Sequence, residues 1–229
     1  MAKVEFLSGI FFEPEPMKPF AKAALLLFAV STLAGAAIAA DASSLKPPPG
    51  ARVAIVVFED LECPDCARAY PVVWEAARAH KIPVVLHDFP LPKHPWSFDA
   101  AVWARYFDAK SEKLGNDFRG FIYKNQPQIT RDNLQQYVEK FGNENKVPVP
   151  FAPDPEGKLK AKVQADYSLG QRIGLEHTPT IFVVGSGGAS TPFVEVVDRD
   201  QLSQIIEDMQ KKAGPAPTPA KSTAVKKKK

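Results

Sequence analysis

The chain has 229 residues, 45% hydrophobic and 24% charged, with 22 prolines, 13 glycines and two cysteines. That balance excludes a disordered, collagen-like or multi-span membrane protein, and two cysteines exclude a disulfide-dense scaffold or an all-cysteine zinc site. The net charge of +3 hides an asymmetry: the last sixteen residues, from Gly214, hold five lysines and no acid, while residues 41–213 carry 21 basic and 23 acidic side chains. A weakly acidic body lacks the basic stripe of a nucleic-acid reader, so no nucleic-acid partner is expected.

From Met17 the chain reads MKPFAKAALLLFAVSTLAGAAIAADA. Lys18 and Lys22 supply a positive start, Ala23–Leu33 an apolar stretch, and Ala37-Ile38-Ala39 a small-residue cleavage pattern. Residues 1–40 are therefore expected to be an N-terminal extension and a cleaved signal peptide, directing a periplasmic or other extracytoplasmic location. The competing reading is a retained membrane anchor, because the uncharged run Ala23–Ala40 is 18 residues long, at the lower edge for a bilayer. Glu5, Glu13 and Glu15 precede the positive segment, and a true translation start at Met17 would explain them. Residues 41–50, with Lys46-Pro47-Pro48-Pro49-Gly50, read as a stiff linker. Residues 214–229 read as a solvated Lys/Pro-rich tail, with attraction to anionic envelope surfaces as the functional alternative.

Residues 51–213 make one domain. Arg52–Glu59 is a β-branched apolar run, as in a strand buried on both faces. Pro64 to about His80 has helical spacing, with Ala67, Tyr70, Val73, Trp74 and Ala77 on one stripe. Pro83–Phe89 is a second strand, so the first two strands should be parallel. A helical insertion spans about 97–174, with Ser97 as N-cap of a helix to about Lys110, then helices at Asn116–Asn125, Asp132–Phe141 and Glu156–Ile173. Strands follow at Thr180–Val184 and Phe193–Val197, joined by Gly185-Ser186-Gly187-Gly188, and Arg199–Lys212 closes as a helix. The order is β-α-β, helical insertion, β-β-α, an α/β arrangement.

The chemistry-bearing motif is Cys63-Pro64-Asp65-Cys66, which follows a buried strand and opens a helix. A C-x-x-C beside a β-α-β pattern reads as a redox motif. The first helical turn offers unpaired N–H groups and the positive end of the dipole, and both stabilise a thiolate nucleophile. Pro64 suits the first helical position. Cys63, at the exposed end, is the expected nucleophile and Cys66 the resolving thiol. As a structural staple so short a loop yields only about 2 kcal/mol. As a metal site it supplies two thiolates where zinc wants four ligands, although His177 could complete a copper-type site. The second element is Glu176-His177-Thr178-Pro179-Thr180, immediately before an apolar strand.

Phe58-Glu59-Asp60-Leu61-Glu62-Cys63-Pro64-Asp65-Cys66, Asp88-Phe89-Pro90-Leu91 with His94-Pro95, and Thr178-Pro179-Thr180 together resemble the DsbA family of thioredoxin-fold thiol–disulfide oxidoreductases of the bacterial envelope. The resemblance runs from about residue 51 to 213. It implies that Cys63 attacks, that Cys66 resolves, and that Thr178–Pro179 is a cis peptide facing the disulfide, where an extended substrate chain binds by backbone hydrogen bonds. It also implies unfolded or cysteine-containing envelope proteins as partners, a quinone-linked membrane partner for reoxidation, and no cofactor beyond the Cys63–Cys66 disulfide.

Three departures modify the expectation. Asp65 stands where relatives more often carry His or an aromatic residue, and a carboxylate there should raise the thiolate's pKa and weaken the oxidant. Val57 occupies the position of a buried proton-shuttling acid; Glu59 or Asp60 could replace it, although both read equally as solvated loop acids. His177 stands where glycine is common, either lining the cleft as a cation or capping the loop. His94 reads as structural, and Trp74, Trp96 and Trp103 as core or rim. The alternatives are an envelope disulfide reductase or isomerase, and a copper-binding chaperone using Cys63, Cys66 and His177.

Overall fold

The computed structural model describes residues 45–186 and 193–213. The expected signal segment, the Lys-rich tail, Gly187, Gly188 and Pro192 lie outside these residues. Among the described residues no helix is long and apolar enough to cross a membrane.

A four-stranded mixed sheet forms the centre, in the order β2-β1-β3-β4. Strand β1 (Val53–Glu59) runs parallel to β2 (Val84–Asp88) and antiparallel to β3 (Thr180–Gly185), which pairs antiparallel with β4 (Phe193–Glu195). Every residue of β1 is buried, and strand alternation sends its side chains to two different cores. Val53, Ile55 and Val57 pack with α1 (Pro64–His80) and α6 (Leu202–Lys212), while Ala54, Val56 and Phe58 pack with Phe89, Phe182 and the α5 residue Tyr167. Helices α2 (Ser97–Asp108), α3 (Glu112–Asn125), α4 (Leu134–Glu144) and α5 (Lys158–Arg172) come from the insertion between β2 and β3. Phe107, Phe118, Ile122, Val138 and Phe141 give the insertion a core of its own, which also receives Cys63 and Cys66.

The element order agrees with the sequence expectation, and the differences have local causes. Two surfaces of α1 are used instead of one stripe: Ala69, Val73, Ala76 and Ala77 face the sheet core, while Ala67 and Tyr70 are half-buried against the insertion. The helix ends on Lys81, whose φ of 53° lets its N–H reach the carbonyls of Ala77 and Arg78. Ser97 does not cap α2. Trp96 holds the cap position, and the Ser97 hydroxyl donates to Asp60. Helix α3 begins four residues early because Ser111 accepts the Leu114 N–H at 3.1 Å. Gly174, at φ +78°, closes the segment after α5. Strand β4 stops at Glu195; Val196 N–H still donates to Ile181 at 2.8 Å, but the Val197 side chain turns out to solvent. At the entrance, the proline run ends in a turn closed by Ala51 N–H on Pro48, and Leu45 is buried against the sheet.

Candidate active site

The site lies where β1 ends and α1 begins. Asp60, one residue past the strand, is fully buried as a side chain. Its carboxylate accepts from the N–H of Glu62 (2.8 Å), the N–H of Leu91 (2.7 Å), His94 Nδ1 (2.6 Å) and the Ser97 hydroxyl. One acid thus ties the β1–α1 turn to the loop before α2, and its own N–H donates to Cys66 Sγ at 3.4 Å. Reading Asp60 and Glu59 as solvated loop acids is therefore wrong: Asp60 is 1% exposed and Glu59 4%. Periodicity could not reveal this, because the groups that satisfy both acids come from the insertion and its entry loop.

Cys63 occupies the N-cap of α1 in an extended conformation, with Pro64 as the first helical residue. Its Sγ donates to the Thr178 carbonyl at 3.3 Å. The Thr178–Pro179 bond is cis, so the loop before β3 faces the cysteine pair. Both cysteines are free thiols. The Cys63 pKa is lowered to about 5, chiefly by the adjacent Cys66 side chain and further by the Thr178 side chain and the Cys66 and Asp65 backbone, against the opposing effect of burial. The Thr178 hydroxyl is buried with no hydrogen-bond partner. Cys66 moves the opposite way, pushed well up by burial, by the neighbouring Cys63 and by the charge of Glu59. One reactive thiolate and one reluctant thiol result, separated by a single helical turn.

The expected effect of Asp65 is not what the structure gives. Its carboxylate accepts from Arg199 Nη2 at 2.8 Å and Arg68 Nε at 3.2 Å, and those cations hold its own pKa below the usual carboxylate value despite partial burial. Its contribution to Cys63 is a backbone N–H that lowers the pKa. His177 is exposed; its carbonyl accepts from the Thr180 hydroxyl at 2.9 Å, and the residue lines cavities on both sides of the loop. The copper alternative loses its third ligand: among the described residues no three His, Cys, Asp or Glu side chains are placed to hold a metal ion. His94 is structural, as Asp60's partner, and Trp96 and Trp103 belong to the insertion core.

Arg119, Tyr123 and Gln126 were not singled out by the sequence, and they surround Glu59 and the turn before Cys63. Glu59 accepts from Arg119 Nε at 2.8 Å and from the Tyr123 hydroxyl at 2.9 Å, both on α3. Burial raises its pKa although the Arg119 charge pulls it down. Glu59, Cys66, Tyr123 and Trp74 line one internal cavity of about 10 Å³, and Trp74 Nε1 is buried without a partner. Gln126, just after α3, donates from Nε2 to the carbonyls of Leu61 (2.9 Å) and Cys63 (3.2 Å). The one sequence signal for Arg119 was a cation between Phe118 and Ile122 on an otherwise apolar face.

A cysteine pair split in this way at a helix start, facing a cis-proline loop, defines a thiol–disulfide oxidoreductase of the thioredoxin fold. The chain belongs to the thioredoxin family, whose profile matches residues 48–208. No curated protein sequence matches it. Among solved structures it is similar to the thiol-disulfide exchange protein alpha-DsbA2 from Wolbachia pipientis (TM-score 0.55, 18% identity, 71% of this chain and 84% of that one). A linker-deletion variant of Proteus mirabilis ScsC matches with TM-score 0.61 and 16% identity over 88% of this chain and all of that one (100%). Pseudomonas aeruginosa DsbA2 matches with TM-score 0.54 and 17% identity over 72% and 93%.

Proposed function

We propose that this protein is an exported oxidant of cysteine-containing envelope proteins, with Cys63 as the sulfur exchanged with substrate. The observation that carries the reading is Cys63 at the start of α1 with its Sγ 3.3 Å from the Thr178 carbonyl of the cis-proline loop, and the lowered Cys63 and raised Cys66 pKa agree with it. A stabilised thiolate stabilises the reduced pair and so makes the disulfide the stronger oxidant.

In the oxidising direction a substrate thiolate attacks Sγ of Cys63. The Cys63–Cys66 bond breaks and Cys66 leaves with the electron pair. Because Cys66 is a poor thiolate, it takes a proton, and Glu59 is the acid within reach: the shared cavity of about 10 Å³ has room for one bridging water. A second substrate thiolate then attacks the substrate sulfur of the mixed disulfide, and Cys63 departs as the thiolate its surroundings favour. The substrate gains a disulfide and the protein gains two electrons; the proton on Cys66 comes from Glu59, which is reprotonated from solvent. The loop carrying Thr178 and Pro179, immediately before β3, suits a substrate chain held by strand-type hydrogen bonds. A membrane partner passing electrons to quinone would restore the disulfide.

Export rests on the sequence pattern from Met17 to Ala40. N-terminal sequencing of the purified protein tests it, and a mature end upstream of residue 30 overturns it. Trapping thiols in intact cells tests the direction. A mostly oxidised pair supports the oxidant, whereas a mostly reduced pair replaces it with a reductase or isomerase.

A further inference from the structure

Asp65 stands between the two cysteines, where an unpaired carboxylate opposes a second negative charge. It is held from two sides. Arg68, one turn along α1, places Nη2 3.0 Å from Asp65 Oδ1. The other partner comes from 134 residues away: Arg199 Nη2 donates to the same oxygen at 2.8 Å, and Arg199 Nη1 donates to the Asp65 backbone carbonyl at 3.3 Å. Arg199 sits in the 3-10 turn Arg199–Gln201 that precedes α6, and this turn is fixed by the Asp198 carboxylate accepting from Asp200 N–H at 3.0 Å. One planar guanidinium therefore grips both the charge and the peptide of a single residue, a geometry that a lysine ammonium cannot reproduce. The pinned carbonyl belongs to the peptide that joins Asp65 to Cys66, in the first turn of the helix that opens at Cys63.

We propose that Arg199 is a positioning residue for the cysteine pair, acting through Asp65 to neutralise the carboxylate and to hold the first-turn peptide next to Cys63. The charged groups around the contact are few. Asp65 meets Arg68 from its own helix and Arg199 from the 3-10 turn, and His177 and Glu195 line the same cavity of about 220 Å³ beside Pro179. Cys63 itself faces Cys66 and Thr178. The C-terminal segment of the domain thereby sets how readily Cys63 ionises, and so how oxidising the disulfide is. This rests on the oxidoreductase reading, but its test needs no substrate.

The test compares the full chain with Arg199→Ala, Arg199→Lys, Asp65→Asn and the Asp65→Asn/Arg199→Ala double variant. The readouts are the thiolate absorbance of Cys63 against pH and the equilibrium with glutathione. Arg199→Ala is expected to raise the Cys63 titration by about half a pH unit, a roughly threefold loss of thiolate stability, and to make the pair more reducing. Arg199→Lys should recover only part of this. In the Asp65→Asn background, removing Arg199 should have less than half its effect. The proposal is overturned if Arg199→Ala titrates like the parent, or if its shift is equal in both backgrounds, which would mean a route other than Asp65. If the parent protein fails to oxidise a dithiol peptide, the functional reading falls, and the titrations still decide the role of Arg199.

Discussion

Arg119 Nε lies 2.8 Å from Glu59 Oε1, with the two side chains only 1% and 3% exposed. The cation is carried by α3 of the insertion and the acid by the last residue of the central strand, so the pair joins the two parts of the domain at the cysteine site. Arg119 also donates to both oxygens of Asp108, at 2.8 and 2.9 Å. Deprived of Arg119, Glu59 and Asp88 would be buried with less compensation, and that asymmetry makes a broken buried pair costly.

Arg119→Leu should therefore destabilise the protein by about 3–5 kcal/mol. Urea unfolding at pH 7 measures it. Adding Glu59→Gln should return part of the loss, because the uncompensated acid is then gone. A single variant within 1 kcal/mol of the parent would show that solvent, not Arg119, balances Glu59.

Glu59 also gives a pH dependence whose sign is fixed. Its folded pKa is raised above the ordinary value of 4.5 by burial. Its neutral form thus contributes stability that is full below the unfolded pKa and is lost as pH rises through the folded value. Glu59→Gln should become steadily more stable relative to the parent as pH is raised from about 4 to 8. The same variant should slow opening of the disulfide by roughly tenfold or more at pH 7 if Glu59 supplies the Cys66 proton; stopped-flow fluorescence reads that rate.

For Cys63 the sign is reversed. Its folded pKa, about 5, lies below the ordinary thiol value of 9.0. The stability that the reduced protein gains from the thiolate is complete above the unfolded pKa and is lost as pH falls through the folded one. Reduced parent protein should lose its advantage over Cys63→Ser progressively between about pH 8.5 and 5. Iodoacetamide should label Cys63 and spare Cys66 at pH 6, and equal labelling of the two would contradict the division of roles.

Gln126→Ala removes the amide that holds the Leu61 and Cys63 carbonyls. The expected cost is about 1–2 kcal/mol, with faster amide exchange in the turn before Cys63. Unchanged protection there would mean the turn is rigid without it.

Gly115→Ala examines the same ion network through packing. A methyl built on Gly115 would lie 1.7 Å from Asp108 Oδ1 and 2.9 Å from the Asp108 backbone nitrogen. Asp108 must then leave Arg119, and a loss of about 1–3 kcal/mol in urea unfolding is expected.

The elements were legible where one segment contains its own reason. The β-branched run of β1 stays buried whichever face it presents, and Pro64 suits the first turn of a helix. Cys63 and Cys66, being the sole thiols with two residues between them, announced redox chemistry before any contact was known. Boundaries moved where a cap was chosen by a distant group: Ser97 left the N-cap of α2 because Asp60 needed its hydroxyl. Val197, read as part of a strand, lies past the last residue paired to β3.

The sequence by itself determined the order of strands and helices and the helix-opening cysteine pair; that the Thr178–Pro179 loop faces the pair was implied only by family resemblance and is set by the tertiary structure. Hydrophobic periodicity, proline's fixed backbone angle and the pairing of two thiols are properties of short segments. The charge state of the site was decided only by the tertiary structure. Asp65 looked like an opponent of the thiolate until Arg199 arrived from the far end of the domain, and Glu59 looked solvated until α3 covered it with Arg119 and Tyr123. Electrostatic energy depends on distance and burial, and neither is written into the spacing of residues along the chain.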